Sequence, residues 1–321
     1  MVRRWMVRSA VVACSLWIPA FGEAGPTAAD VENARRQVEE RINHARGELG
    51  LAPLERDARL ELVGDAAAAT LLEEGLVGHV SRDGALPFVR WALAGGSGFH
   101  RENAASLETT SSLAGRRLGE VLVGLTDGML AEQPPHDGHR RALLDPTATH
   151  LGVGVAESDG RLRMNHQIAT LVVRRWEPPP VATAPGSWVR LQGCLPSSWR
   201  AVGLQIGRQE LPAISALPEV PVVLEFGYPP QVAMLTARAA GSPVSGQSLV
   251  VDEDNRFSAV WQVSAEEGVE VAVLWVRPRG RSGSAIPVAV AATLVTAQGA
   301  LPPHLARWVS LREADVTAEA P

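Results

Sequence analysis

Apolar residues recur at steps of three and four through residues 28–46, where Val31, Ala34, Val38, Ile42 and Ala45 make one stripe on a charged segment. That is the pattern of an amphipathic helix. Gly47 and Gly50 end it, and Leu51, Ala52, Pro53 and Leu54 form a short extended connector. Asp57 opens a second helix through Leu60, Leu62, the alanines at 66–69 and Leu72. Gly75 and Gly78 close it, and His79 follows directly. Residues 88–93 read as a short helix, and residues 95–105 read as loop. A helix from about Leu113 to Leu130 leads into a bend at residues 129–146.

Beyond the bend the period changes to two. Residues 151–156 alternate apolar side chains with glycine, Asp159-Gly160 reads as a hairpin turn, residues 161–165 run back, and residues 168–173 read as a third strand. Trp176 is followed by Glu177-Pro178-Pro179-Pro180, and residues 177–186 read as a stiff linker that spaces two independently folding parts. The later chain is strand after strand, at 187–193, 201–206, 220–226, 248–251, 257–263, 269–276 and 286–295, with polar turns between. Trp188, Trp199, Phe226, Tyr228, Phe257, Trp261 and Trp275 read as core or sheet-face residues, with a sugar-stacking platform as the alternative for some. Residues 301–321 read as a tail with a frayed polar end. The expected fold is therefore α+β: an N-terminal domain over 28–176, then an all-β sandwich over 187–300.

Composition adds a compartment. Arg3, Arg4 and Arg8 precede an uncharged apolar run, and Gly22-Glu23-Ala24 offers small residues for a signal peptidase, so residues 1–24 read as an export leader. The run is shorter than the roughly 20 residues a bilayer span needs. A lipobox around Cys14 and a twin-arginine signal are weaker readings of the same stretch. Loss of the leader removes three arginines and one glutamate and takes the formal charge from -5 to -7. It also leaves Cys194 as the sole cysteine, so the mature chain relies on its core and not on disulfides. A net acidic chain without a basic block excludes nucleic acid as a partner, and no transmembrane segment remains after cleavage. The expected location is outside the cytoplasm, in the periplasm or the medium.

The bend concentrates candidate chemistry. Glu132, His136, Asp137 and His139 lie together, and Pro134-Pro135 prevents one helix from running through. Asp137 stands where an N-cap would, so Glu132 closes one helix and His139 opens the next. The proline bend points His136 away from His139.

Several pieces together resemble a known family. Ile42-Asn43-His44-Ala45-Arg46, Gly50-Leu51-Ala52-Pro53-Leu54 with Asp57, Gly78-His79, Glu102-Asn103-Ala104, residues 138–144 and Gly152-Val153-Gly154-Val155 fall in the order of the bacterial branch of the CAP superfamily. That superfamily comprises the cysteine-rich secretory, antigen 5 and pathogenesis-related proteins, with SCP-like domains. Each piece alone is unspecific; in order, they are specific. The resemblance implies an α-β-α sandwich over 28–176 with a cleft lined by two histidines and two acids. Carried over by position, these are His79, Glu102, Glu132 and His139, with His79 and His139 as metal ligands.

Two imidazoles and two carboxylates suit a divalent cation, zinc best among common ions, or acid–base work. No cofactor is required by the sequence. No nucleophile elbow, HExxH pair or phosphate loop is present. The expected function is an exported protein binding a small ligand, either a lipid-like molecule or a divalent cation, with an envelope component as a further partner. The alternative is a metal-assisted hydrolase of peptides or envelope polymers, in which metal-bound water attacks.

Overall fold

The computed structural model describes residues 25–110, 113–210, 227–242, 246–280 and 283–312. The leader, the strand expected at 220–226 and residues 313–321 lie outside the described residues.

The first helix, α1 (Ala28–Glu48), starts at a capping box in which Thr27 and Asp30 satisfy each other's backbone N–H. Its apolar stripe, Ala34, Val38, Ile42 and Ala45, is buried. Asp57 caps α2 (Ala58–Glu73) by accepting from Leu60 N–H. Three further helices follow, α3 (Pro87–Leu93), α4 (Arg116–Leu130) and α5 (Gly138–Leu143). Between and after them run β1 (Glu55–Arg56), β2 (Phe99–Glu108), β3 (His150–Ser158) and β4 (Arg161–Thr170). These four form one sheet in the order β1-β3-β4-β2, so β2 is an edge strand. Both β2 and β3 run antiparallel to β4.

The alternation along β3 decides the layers. Leu151 and Val153 join α1, α4 and α5 in one buried cluster. Gly152 and Gly154 face α2, whose backbone lies against them. A Cβ on Gly154 would stand 2.1 Å from the carbonyl carbon of Gly64, and one on Gly152 2.4 Å from Glu61 N. Only glycine permits that approach. The sheet is thus covered by α1, α4 and α5 on one side and by α2 and α3 on the other, an α-β-α arrangement.

Two elements differ from the sequence reading. Residues 99–108, read as loop at least to 105, are a full edge strand in unbroken register with β4. The strands expected at 161–165 and 168–173 are one, β4. In both cases polar side chains on each face break the apolar alternation that would have marked a strand.

The remaining strands are β5 (Arg174–Glu177), β6 (Ala182–Thr183), β7 (Trp188–Cys194), β8 (Trp199–Gln209), β9 (Gln231–Ala239), β10 (Ser248–Val251), β11 (Arg256–Gln262), β12 (Gly268–Pro278) and β13 (Ile286–Val295). They pair in the order β5-β7-β11-β10-β9-β8-β12-β13-β6. Val189, Leu191, Phe257 and Trp261 from one end of that order share a buried cluster with Leu204, Ile206, Leu274 and Val288 from the other. The sheet therefore folds over itself as a sandwich, and the chain is an α+β domain followed by a β-rich module.

The expected spacing of two independent parts is corrected by the packing. Phe88, Val89, Trp91 and Leu93 of α3 share one buried cluster with Val269, Val271 and Val273 of β12 and Val290, Ala292 and Leu294 of β13. The proline stretch does not hold the parts apart, because Ala182 and Thr183 within it pair with β13. Tyr228, expected in the β module's own core or sheet face, stacks between Phe88 and Phe99, at 4.5 Å and 4.8 Å between ring centroids. The start of the expected tail is also docked. A 3-10 turn (Pro303–Leu305) and α6 (Ala306–Ser310) bring Leu305 and Trp308 into the same cluster, both buried. Alternating valines leave β12 and β13 apolar on both faces, so the module cannot bury itself alone.

Candidate functional site

Edge strand β2 carries the site. Glu102 and Asn103 are neighbours on it, so their side chains point to opposite faces of the sheet. Toward α3, Glu102 Oε1 meets His79 Nδ1 at 3.0 Å, and Oε2 accepts from Arg90 Nη2 at 2.7 Å and Gln167 Nε2 at 2.6 Å. Burial alone would raise the Glu102 carboxyl. The Arg90 charge and the bonds from His79 and Gln167 outweigh it and hold the group at about 2. Since that carboxylate only accepts, His79 Nδ1 donates to it.

Across the strand, Asn103 Nδ2 donates to His139 O at 3.1 Å. His139 opens α5, and its Nδ1 meets Glu132 Oε1. Glu132 Oε2 accepts from the main-chain N–H of His139 at 3.0 Å and of Arg140 at 3.4 Å. Asp137, expected as the cap of this helix, makes no side-chain cap bond; Glu132 does that work from the end of α4. The reason is geometric: the proline bend returns the chain so that Glu132 lies over the new N-terminus. With Nδ1 committed to Glu132, His139 Nε2 is a lone pair, and it is buried without a partner. Burial lowers the His139 pKa against the pull of Glu132, and the charge of His79 lowers it further. His79 and His139 are thus within electrostatic reach of each other.

The four expected residues form two imidazole–carboxylate pairs, His79–Glu102 and His139–Glu132, tied to β2 at the neighbouring positions Glu102 and Asn103. His79, Glu102 and His139 are 1 %, 5 % and 2 % exposed and Glu132 is half-buried, so solvent reaches the cluster mainly at Glu132. His136 is exposed, and no hydrogen bond described joins its side chain to the cluster. Among the described residues, no group of three or more His, Cys, Asp and Glu is arranged to hold a metal ion. A cleft of about 380 Å³ lies between the ends of α1, α4 and α5, lined by Arg41, Ala45, Asp127, Leu130, Arg140 and Leu144.

Several residues of the cluster carry no sequence motif. Arg90 also donates to His79 O at 3.0 Å. Its signal was legible in principle: an arginine within the apolar run 87–94 must find a buried partner. Gln167 bridges Glu102 to His100, whose Nε2 meets Gln167 Oε1 at 2.6 Å. Burial holds His100 neutral, near 4. On the other face, Thr126 donates to Leu122 O and so accepts from His166 Nε2 at 3.2 Å. Burial, with the nearby His139 charge, lowers His166 to about 3. Arg101, next to Glu102 on β2, pairs with Asp145 and lies over Phe99.

Residues 39–173 match the model of the family described as CAP, the cysteine-rich secretory protein family. This part of the chain is a CAP domain. A solved extracellular protein containing an SCP domain, from Bacillus anthracis, is 21 % identical with a TM-score of 0.34, the match spanning 44 % of each chain. The present chain thus spans under half of that relative. An outer surface protein of Borrelia burgdorferi is 20 % identical with a TM-score of 0.35, the match spanning 47 % of this chain and 98 % of that one. Both likenesses are too distant to bear on ligand or mechanism. No curated protein matches the chain.

Proposed function

We propose that the chain is an exported CAP-domain protein that binds a small ligand at its two imidazole–carboxylate pairs, a divalent cation, zinc foremost, being the ligand these groups fit best. The observation that carries this reading is His139 Nε2, a buried lone pair without a partner. A Nδ1–carboxylate contact on each histidine is the arrangement that orients a metal-binding imidazole and raises its basicity. His139 and His79 would hold the ion, with Glu132 and Glu102 behind them. Bound there, a cation would supply Lewis acidity, while the carboxylates fix the tautomers. With two protein ligands the site is modest, micromolar in class, or about 7–8 kcal/mol.

Export is supported by the leader pattern of residues 1–24, and no described helix is long and apolar enough to cross a membrane. The cleft of about 380 Å³ beside Arg140 offers room for the lipid-like ligand of the second reading, with Ala45, Leu130 and Leu144 as its apolar lining. Calorimetric titration with zinc separates the two. Binding should vanish in His139→Ala and weaken at least tenfold in His79→Ala, and should persist in His136→Ala. Equal losses in the His136 and His139 variants, or unchanged binding in His139→Ala, would refute the assignment.

A further inference from the structure

We infer that Trp308, near the far end of the chain, is a positioning residue for the His79–Glu102 pair, acting through Asp83 and Arg90. The inference rests on the reading above, in which that pair belongs to a ligand site. Trp308 is fully buried, and its Nε1–H donates to Asp83 Oδ2 at 2.8 Å. The other oxygen of Asp83 accepts from Ser81 Oγ at 2.7 Å and from Ala85 N at 2.9 Å. Asp83 therefore gathers the turn that begins two residues after His79, and Trp308 holds Asp83. The same indole covers the Arg90 guanidinium, 5.4 Å from the ring centroid. Arg90 in turn grips His79 O with one amino group and Glu102 Oε2 with the other. Both handles on the pair, the turn after His79 and the arginine between His79 and Glu102, thus meet at one side chain.

The segment that presents Trp308 is itself clamped to this region. Arg307 Nη1 donates to Thr70 Oγ1 of α2 at 2.9 Å. Arg312 donates to Leu93 O at 2.6 Å and Ala92 O at 2.9 Å, satisfying carbonyls at the end of α3. A residue needed only for bulk would not require an N–H aimed at the carboxylate of the His79 turn. His139, held by Glu132, contacts neither Asp83 nor Arg90 in any hydrogen bond described, and so serves as an internal control. The C-terminal segment completes the site from outside the CAP domain.

The test uses the full-length chain without any ligand, so it reads separately from zinc binding. Exchange rates of the imidazole Nδ1–H protons of His79 and His139 are followed by nitrogen-edited proton NMR at one fixed pH. Trp308→Phe keeps the ring over Arg90 and deletes the N–H; Asp83→Asn alters the acceptor and keeps its shape, and serves should the first variant fail to fold. The expected result is at least tenfold faster exchange for His79, with His139 changed less than twofold. An unchanged His79 rate in a folded variant would overturn the inference, and so would equal acceleration at both histidines, which is the mark of general loosening. Absence of zinc binding in the parent chain would sink the ligand reading alone.

Discussion

Cutting the chain at Glu177 should cost the CAP domain its independent stability. Phe88, Val89 and Leu93 are at most 3 % exposed because β12 and β13 lie over them. Full burial of each such side chain is worth about 1.5–3 kcal/mol, so leaving three of them half exposed costs roughly 3–4 kcal/mol. Loss of Trp308 resembles a buried Trp→Ala change, about 3–5 kcal/mol. The total of about 7 kcal/mol rivals the whole stability of an ordinary domain. A fragment of residues 25–177 should therefore bind a hydrophobic dye and show no cooperative thermal transition by circular dichroism. The longer chain, residues 25–321, should melt in one step. A soluble 25–177 fragment melting cooperatively within a few degrees of the longer chain would refute the shared core.

Three further outcomes follow from named contacts. Gly154→Val would place its Cβ about 2.1 Å from Gly64 C, and should destabilise by more than about 3 kcal/mol in urea unfolding, whereas Gly128→Ala, exposed on α4 with nothing within 4 Å, should stabilise by roughly 0.5–1 kcal/mol. Arg90→Met leaves the buried Glu102 charge without its arginine and should cost about 3–5 kcal/mol; adding Glu102→Gln should recover part of that, and a further loss in the double variant would contradict the pairing. Acid should destabilise the fold: His100 and His166 stay neutral to about 4 and 3 when folded, while the unfolded chain takes up those protons near 6.5, so stability is full above that pH and falls below it. Glu102, held at about 2, adds a loss below about 4.5, and urea unfolding at pH 6.5 and 4.5 should differ by up to roughly 5 kcal/mol, equal stabilities counting against the buried histidines.

What was legible in the chain is what local pattern controls. The stripe of α1, the Asp57 cap of α2 and the apolar run of β13 follow from spacing and termini, and they form as spacing implies. The pairs His79–Glu102 and Glu132–His139 were within reach because the family order names those positions. The edge strand was not, since Arg101, Glu102 and Asn103 use both faces of β2 for polar partners. β9 was missed because its alanines and lone apolar residues fit a helix as well as a strand. Nor does any local signal tie Trp308 to Asp83, 225 residues earlier. The docked tail and the shared core are long-range packing facts. The proline stretch that looked like a spacer supplies β6 instead.

The most direct measurement of the central claim is anomalous X-ray scattering from crystals of the full mature chain soaked in zinc. The account predicts a zinc peak within bonding distance of His139 Nε2, on the His79 side, and its loss in crystals of His139→Ala. A peak only at exposed groups such as His136 or His44, or none at His139 at saturating zinc, would contradict it.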